Sequence, residues 1–277
     1  MQSSAPHSGR RQGLPFFLFL AGVLAFLLGT RFPAQGASLC AGSDLTAVPD
    51  TAPFSSAPVF ASGAGEDAGD KWVCLTFDDG PSKTTPAVLE ALDAAGVHGT
   101  FFVVATGHNQ KFLPLLTQAA AAGHQIALHS ASHEYSDIYR SSDAYWQDIA
   151  LLKERIAPYV DPEGIRYLRF PGGSTNTVSR RYGGKGLMQQ LKSEVEQKGW
   201  QWVDWNVCAE DAVGGHPDAD TIYRNVVRET GEQTRCVVLM HDSATTGTTA
   251  QALPEIIRWY ADRDYRFLTV EQALPLG

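Results

Sequence analysis

The chain has little of what marks a disulfide scaffold or a nucleic-acid binder. Its four cysteines, Cys40, Cys74, Cys208 and Cys236, include no CxxC pair, so neither a disulfide framework nor a paired-thiolate metal site is implied. Cys74 and Cys236 lie inside strand-like runs, where a free thiol packs as a small apolar group. Positive charge is also scarce. Lys and Arg number 22 against 30 Asp and Glu, a formal charge of −8, and no basic run is longer than Arg10-Arg11 or Arg180-Arg181. Binding a phosphate backbone takes clustered cations, so a nucleic-acid partner is excluded. No internal repeat is evident and no protein partner is implied. The 277 residues allow one large domain with appendages or two small ones.

One long apolar run is present. Leu14 to Thr30 is uncharged, follows Arg10 and Arg11, and is closed by Arg31 and Pro33. As a helix it would span roughly 25 Å, against about 30 Å for a hydrocarbon core. Two readings stay open: an uncleaved single-pass membrane anchor, or a long signal-peptide core with Ala34, Gly36 and Ser38 as small residues for cleavage. Cys40 is no lipid-attachment site, because bulky Leu39 precedes it. Positive flanks stay inside, so either reading puts the remainder outside the cytoplasm. The expected organisation is a basic tail over 1–13, the anchor or signal core over 14–30, an Ala/Ser/Gly/Pro-rich spacer over 31–70 and a folded domain over 71–277.

Within that domain, Val73 to Phe77 alternates apolar and β-branched residues and reads as a buried strand, which ends at Asp78-Asp79-Gly80-Pro81. Two adjacent carboxylates at a strand mouth repel each other and resist desolvation, so a positive neighbour is needed and a metal ion is the strongest candidate. Thr85-Pro86 starts a helix that Gly96 ends. Further strands are predicted at Thr100 to Val104, Gln125 to Leu128, Arg166 to Phe170, Gln201 to Val207, Cys236 to Met240 and Arg266 to Val270. Helices are predicted around Lys111 to Ala122, Ser142 to Ala157, Leu187 to Lys198, Thr221 to Glu229 and Ala252 to Ala261. About seven strands alternating with helices imply parallel pairing through helical crossovers. Periodicity leaves a doubly wound sheet and a (β/α) barrel equally open.

Polar residues interrupt this pattern at strand ends. Asp78 and Asp79 follow the first strand, His129 and His133 the third, and Arg169 lies in the fourth just before Pro171-Gly172. Asp211 follows the fifth, and His241 closes the sixth. The C-terminal ends of parallel strands share one face, where active sites form.

Four segments carry a family resemblance. Thr76-Phe77-Asp78-Asp79-Gly80-Pro81, His129-Ser130-Ala131-Ser132-His133, Arg169-Phe170-Pro171-Gly172 and Leu239-Met240-His241 resemble, in order, motifs of the polysaccharide deacetylase family, the NodB-homology carbohydrate esterases. The resemblance covers about Trp72 to Val270 and implies a distorted (β/α) barrel. It also implies one divalent metal ion on Asp79, His129 and His133, zinc first, with cobalt or manganese as alternatives; two imidazoles and a carboxylate suit zinc with an open position. Asp78 is then the general base, kept ionised by the metal and Arg169. Gly172 N–H and the metal receive the charge developing on the acetyl oxygen, and Leu239 packs on the acetyl methyl. His241 protonates the leaving amine, with Asp211 orienting it and raising its pKa. Gly172 stands where many members have Tyr, and Cys208 and Ala212 stand where Asp and Trp are frequent. Trp202 and Trp205 are read chiefly as core residues.

The expected activity is metal-dependent N-deacetylation of a cell-wall polysaccharide. Peptidoglycan N-acetylglucosamine comes first, chitin oligomers second, and O-acetyl esters such as xylan are the alternative reaction. A glycan-binding module without turnover is the reading from another class, and the full set of acids and histidines speaks against it.

Overall fold

The computed structural model describes residues 71–276. The predicted basic tail, apolar run and spacer lie outside the described residues. Among the described residues, no helix is long and apolar enough to cross a membrane.

The chain order is β1 (Trp72–Asp78), α1 (Thr85–Ala95), β2 (Thr100–Val104), α2 (Leu115–Ala121), β3 (Gln125–Ser130), α3 (Tyr135–Ile138), α4 (Ser142–Ile156), β4 (Tyr167–Leu168), α5 (Val178–Gly183), α6 (Leu187–Gln197), β5 (Gln201–Trp202), β6 (Val207–Cys208), α7 (Ala219–Thr230), β7 (Arg235–His241), α8 (Gly247–Ala261), β8 (Arg266–Phe267) and α9 (Val270–Ala273). The strands form one parallel sheet ordered β5-β4-β3-β2-β1-β7-β6. β1 is central. It pairs along its whole length with β7, while its other edge is shared by β8 at Trp72–Val73 and β2 from Thr76 onward.

All seven residues of β1 are buried, as a strand covered on both faces requires. Alternation sorts them. Val73, Leu75 and Phe77 join Val238 and Met240 of β7 in the large core under the helices, whereas Trp72 and Cys74 join Phe102, Ala127 and Val237 in a smaller one. The smaller cluster is the inside of the curled sheet. Side chains of its parity, Asp78 on β1 and His241 on β7, emerge at its C-terminal rim. Helices cover the other face. α4 is capped by Ser141, whose hydroxyl accepts from Ala144 N, and buries Tyr145, Ile149, Leu152 and Ile156.

The curled parallel sheet wrapped by helices is the expected distorted (β/α) barrel, with corrections of detail. The described residues hold eight strands rather than about seven. The run predicted as one strand over Gln201–Val207 is two, and these are opposite edges of the sheet. Val203 N still donates to Leu168 O beside β4, but Asn206 N already donates to Val237 O beside β7. Between them Asp204 leaves the ladder to accept from Ser174 N. The predicted last strand stops at Phe267, because Thr269 and Gln272 form a capping box that opens α9. The helix predicted from Lys111 begins only at Leu115, after a short 3-10 turn over Gln110–Phe112 and Pro114, since proline starts helices but cannot continue them.

Candidate active site

β1 delivers Asp78 to the inner rim, where it is 4 % exposed and in register with His241. Arg169 is fully buried beneath it. Its Nη1 donates to Asp78 Oδ1 at 2.7 Å and Thr76 Oγ1 at 2.9 Å, and its Nε donates to Val203 O at 3.0 Å. Its guanidinium lies 4.1 Å from the Phe102 ring centroid. A cation so enclosed is stable only when its donors are met, and here they fix one carboxylate oxygen of Asp78. The other, Oδ2, has no hydrogen-bond donor among the described residues and faces His129 Nε2 at 3.9 Å.

Asp79 turns away from the strand with φ 68°, and His133 has φ 58°. Both occupy the left-handed region, a conformation that costs a side-chain-bearing residue about 1 kcal/mol or more. The turns aim their side chains at one point: ligand atoms of Asp79, His129 and His133 all lie within 4.8 Å of one another. Asp79 Oδ1 is 3.4 Å from His133 Nε2 and 3.7 Å from His129 Nε2. It is also buried with no hydrogen-bond partner among the described residues. His129 Nδ1 contacts the Arg169 carbonyl at 2.7 Å, and a carbonyl only accepts, so the proton sits on Nδ1 and Nε2 presents a lone pair. Burial lowers the His129 pKa, more than Asp78, Asp79 and the Arg169 carbonyl raise it, which keeps the imidazole neutral and able to ligate. Atoms bound to one zinc-sized cation are separated by roughly 3–4 Å. An orphaned buried carboxylate oxygen between two imidazoles therefore fits a divalent cation.

The HSxxH loop is held from α4. Asp148 accepts from Ser130 Oγ, Ala131 N, Ser132 N and Ser132 Oγ at 2.7–3.0 Å. Sequence reasoning missed Asp148, although a carboxylate on the buried stripe of α4 was the available signal.

Across the rim, His241 Nδ1 lies 2.9 Å from Asp211 Oδ1, and His241 N donates to Asp211 Oδ2 at 2.7 Å. Thr249 Oγ1 also donates to Oδ2 at 2.7 Å. Burial alone would lower the His241 pKa, but the hydrogen bond and charge of Asp211, with Asp78 and Asp79 behind it, raise it to about 9. The structure thus joins the residue pair that the sequence linked least directly. Leu239, buried, lies two residues before His241 on the same face of β7 and in register with Thr76. Gly172 turns with φ 77°. Its N–H has no acceptor among the described residues, whereas the next N–H, of Gly173, donates to Phe170 O at 2.7 Å. Trp205 is half-buried and stands against Gly173 and over Arg169, while Trp202 lies under Lys192. Tyr135, which the sequence pattern does not single out, also borders the site, its ring edge-on to that of His133.

Known proteins resemble this chain in sequence and in fold. A family model described as polysaccharide deacetylase matches residues 65–190, a span that ends before Asp211 and His241. A chitooligosaccharide deacetylase of Bradyrhizobium is 30% identical over 69% of this chain and 80% of its own length. A peptidoglycan-N-acetylglucosamine deacetylase of Bacillus cereus is 28% identical over 74% of this chain and 89% of its own. The crystal structure of the catalytic domain of a peptidoglycan N-acetylglucosamine deacetylase from Eubacterium rectale is 34% identical and superimposes with a TM-score of 0.69, covering 78% of this chain and 96% of that one. On this likeness of sequence and structure, the chain belongs to the polysaccharide deacetylase family.

Proposed function

We propose that this protein hydrolyses the N-acetyl groups of a cell-wall glycan, with peptidoglycan N-acetylglucosamine as the leading substrate. The observation that carries the proposal is the orphaned Asp79 Oδ1 facing His129 and His133, flanked by a carboxylate on one side and an imidazole on the other. The relatives from Bacillus cereus and Eubacterium rectale support the choice of glycan. The apolar run Leu14 to Thr30 supports a site of action outside the cytoplasm, as tether or export signal.

Asp79, His129 and His133 would hold the cation, zinc because two imidazoles and one carboxylate are a borderline donor set. When bound it would polarise the acetamido carbonyl and acidify a water. Asp78 takes the proton of the attacking water on Oδ2, because Oδ1 is occupied by Arg169. Oxygen bonds to the acetyl carbon, and the carbonyl oxygen gains charge that the free Gly172 N–H meets with a hydrogen bond. Leu239 is suited to packing on the acetyl methyl. The C–N bond then breaks. The leaving nitrogen takes its proton from His241 Nε2, whose other nitrogen is held by Asp211. Acetate and a free amino sugar are the products.

The test is acetate release by purified protein from N-acetylated peptidoglycan and chitin oligomers, beside O-acetylated xylan. Release from the amides, lost in His241→Asn with bound metal retained, is expected. Release from esters alone overturns the amide reading.

A further inference from the structure

Tyr135 lies two residues beyond His133 and opens α3. Its ring meets the His133 ring edge-on, with centroids 5.4 Å apart, and stacks on Tyr139 at 6.1 Å. Tyr139 is itself fixed, since its hydroxyl donates to Pro171 O at 2.8 Å. That bond ties α3 to the loop carrying Gly172. The consequence is a close approach: a Cβ built on Gly172 would sit 3.3 Å from Tyr135 Oη. The absence of a side chain at 172 leaves that space to the phenol.

Two donors therefore stand side by side with nothing to donate to. Gly172 N–H has no acceptor and Tyr135 Oη has no hydrogen-bond partner among the described residues, although hydrogen bonds tie down the neighbouring Tyr139 hydroxyl and Gly173 N–H. Both lie beside the Asp79–His129–His133 cluster.

We propose that Tyr135 Oη is a second hydrogen-bond donor to the acetyl oxygen during attack, paired with Gly172 N–H. The inference rests on the deacetylase reading, in which that oxygen gains negative charge as the tetrahedral carbon forms. A donor that meets charge only in the transition state raises kcat and leaves KM nearly alone. A ring that merely wedges His133 in place would act through metal content and stability instead.

Steady-state kinetics of the full chain on N-acetylglucosamine oligomers separate these roles, with melting temperature and bound zinc measured on the same samples. For Tyr135→Phe, which keeps the ring and removes the O–H, kcat is expected to fall about 10- to 100-fold, at or below the lower end of the range for loss of an oxyanion donor. KM should stay within about threefold, with melting temperature and zinc content as in the wild type. Tyr135→Ala should lose at least as much kcat. An active wild type with unchanged kcat in Tyr135→Phe overturns this inference alone, and so does a Tyr135→Phe loss that tracks lost zinc or lost stability. A wild type releasing no acetate overturns the deacetylase reading, and this inference with it.

Discussion

Arg169 and Asp78 form an ion pair closed off from solvent, Nη1 to Oδ1 at 2.7 Å, with the Arg side chain 0% and the Asp side chain 5% exposed. Removing one member strands the other in a poorly solvated place, which typically costs about 3–5 kcal/mol. Arg169→Ala should therefore lower unfolding stability by that order in urea titration, and abolish acetate release as well. Asp78→Asn keeps an acceptor for Nη1 but cannot take a proton. Its activity should drop by about a hundredfold or more with a smaller loss of stability. An Arg169→Ala protein as stable as the wild type would contradict the pairing.

His241 must be protonated to serve a leaving amine, so activity should fall as pH rises through its pKa, raised to about 9 chiefly by Asp211 against the opposing effect of burial. Asp211→Asn removes the charge and keeps the shape. The basic limb of the kcat profile should then move to lower pH, and Asp211→Ala should move it further while lowering kcat. The pairing also contributes stability that is complete below the ordinary histidine value and is lost as pH climbs toward 9. A basic limb that stays put in Asp211→Asn would remove His241 from the acid role.

Much of this arrangement can be read from the chain because it is punctuated by strong signals. Asp-Gly-Pro ends β1, Pro86 and Gly96 bound α1, and acids or imidazoles sit where buried strands stop. Strand parity then carries Asp78 and His241 to the same rim. Other parts escape because their causes are not local. The separation of β5 from β6 depends on Asp204 finding Ser174, about thirty residues earlier in the chain. The Tyr135–Gly172 approach depends on Tyr139 reaching the Pro171 carbonyl, which no periodicity encodes. Asp148 is intermediate: its place on a buried helical stripe is visible, but its four donors come from a different loop.

The proposed ligand cluster of Asp79, His129 and His133 predicts a thermodynamic signature of cation binding. Among the described residues Asp79 Oδ1 has no hydrogen-bond partner, and a cation that binds there in the folded protein and not in the unfolded chain should stabilise the fold by mass action. At zinc a hundredfold above its Kd the gain is about 2.7 kcal/mol. Calorimetry should show the melting temperature rising with added zinc and falling with a chelator, in step with acetate release. His129→Ala should show no zinc-dependent shift. A wild-type melting temperature indifferent to zinc would argue against the three residues acting as ligands.

Asp242 bears on stability through a different route. It is fully buried; Thr85 Oγ1 donates to its Oδ2 at 2.6 Å, and its Oδ1 has no partner among the described residues. Its backbone N–H donates to Asp78 O at 2.7 Å, and its carboxyl group fills the space where Gly80 would carry a Cβ. The residue thus clamps the turn after β1 against the end of β7. Burial pushes its pKa up to about 8, against the opposing hydrogen bond from Thr85, whereas in the unfolded chain it titrates near about 3.9. Between those values the folded protein holds a proton that the unfolded chain has lost. Stability from this group is therefore complete below about pH 4, declines as pH rises, and is gone above about 8. Asp242→Asn is neutral at every pH and removes that slope. His241 adds a decline of the same sign, but only from its ordinary value upward, so the difference between variant and wild type isolates Asp242. Melting temperatures of the two proteins should diverge progressively from pH 4 to 8, with Asp242→Asn the flatter. Parallel curves across that window would mean that the Asp242 carboxyl is already ionised in the folded protein.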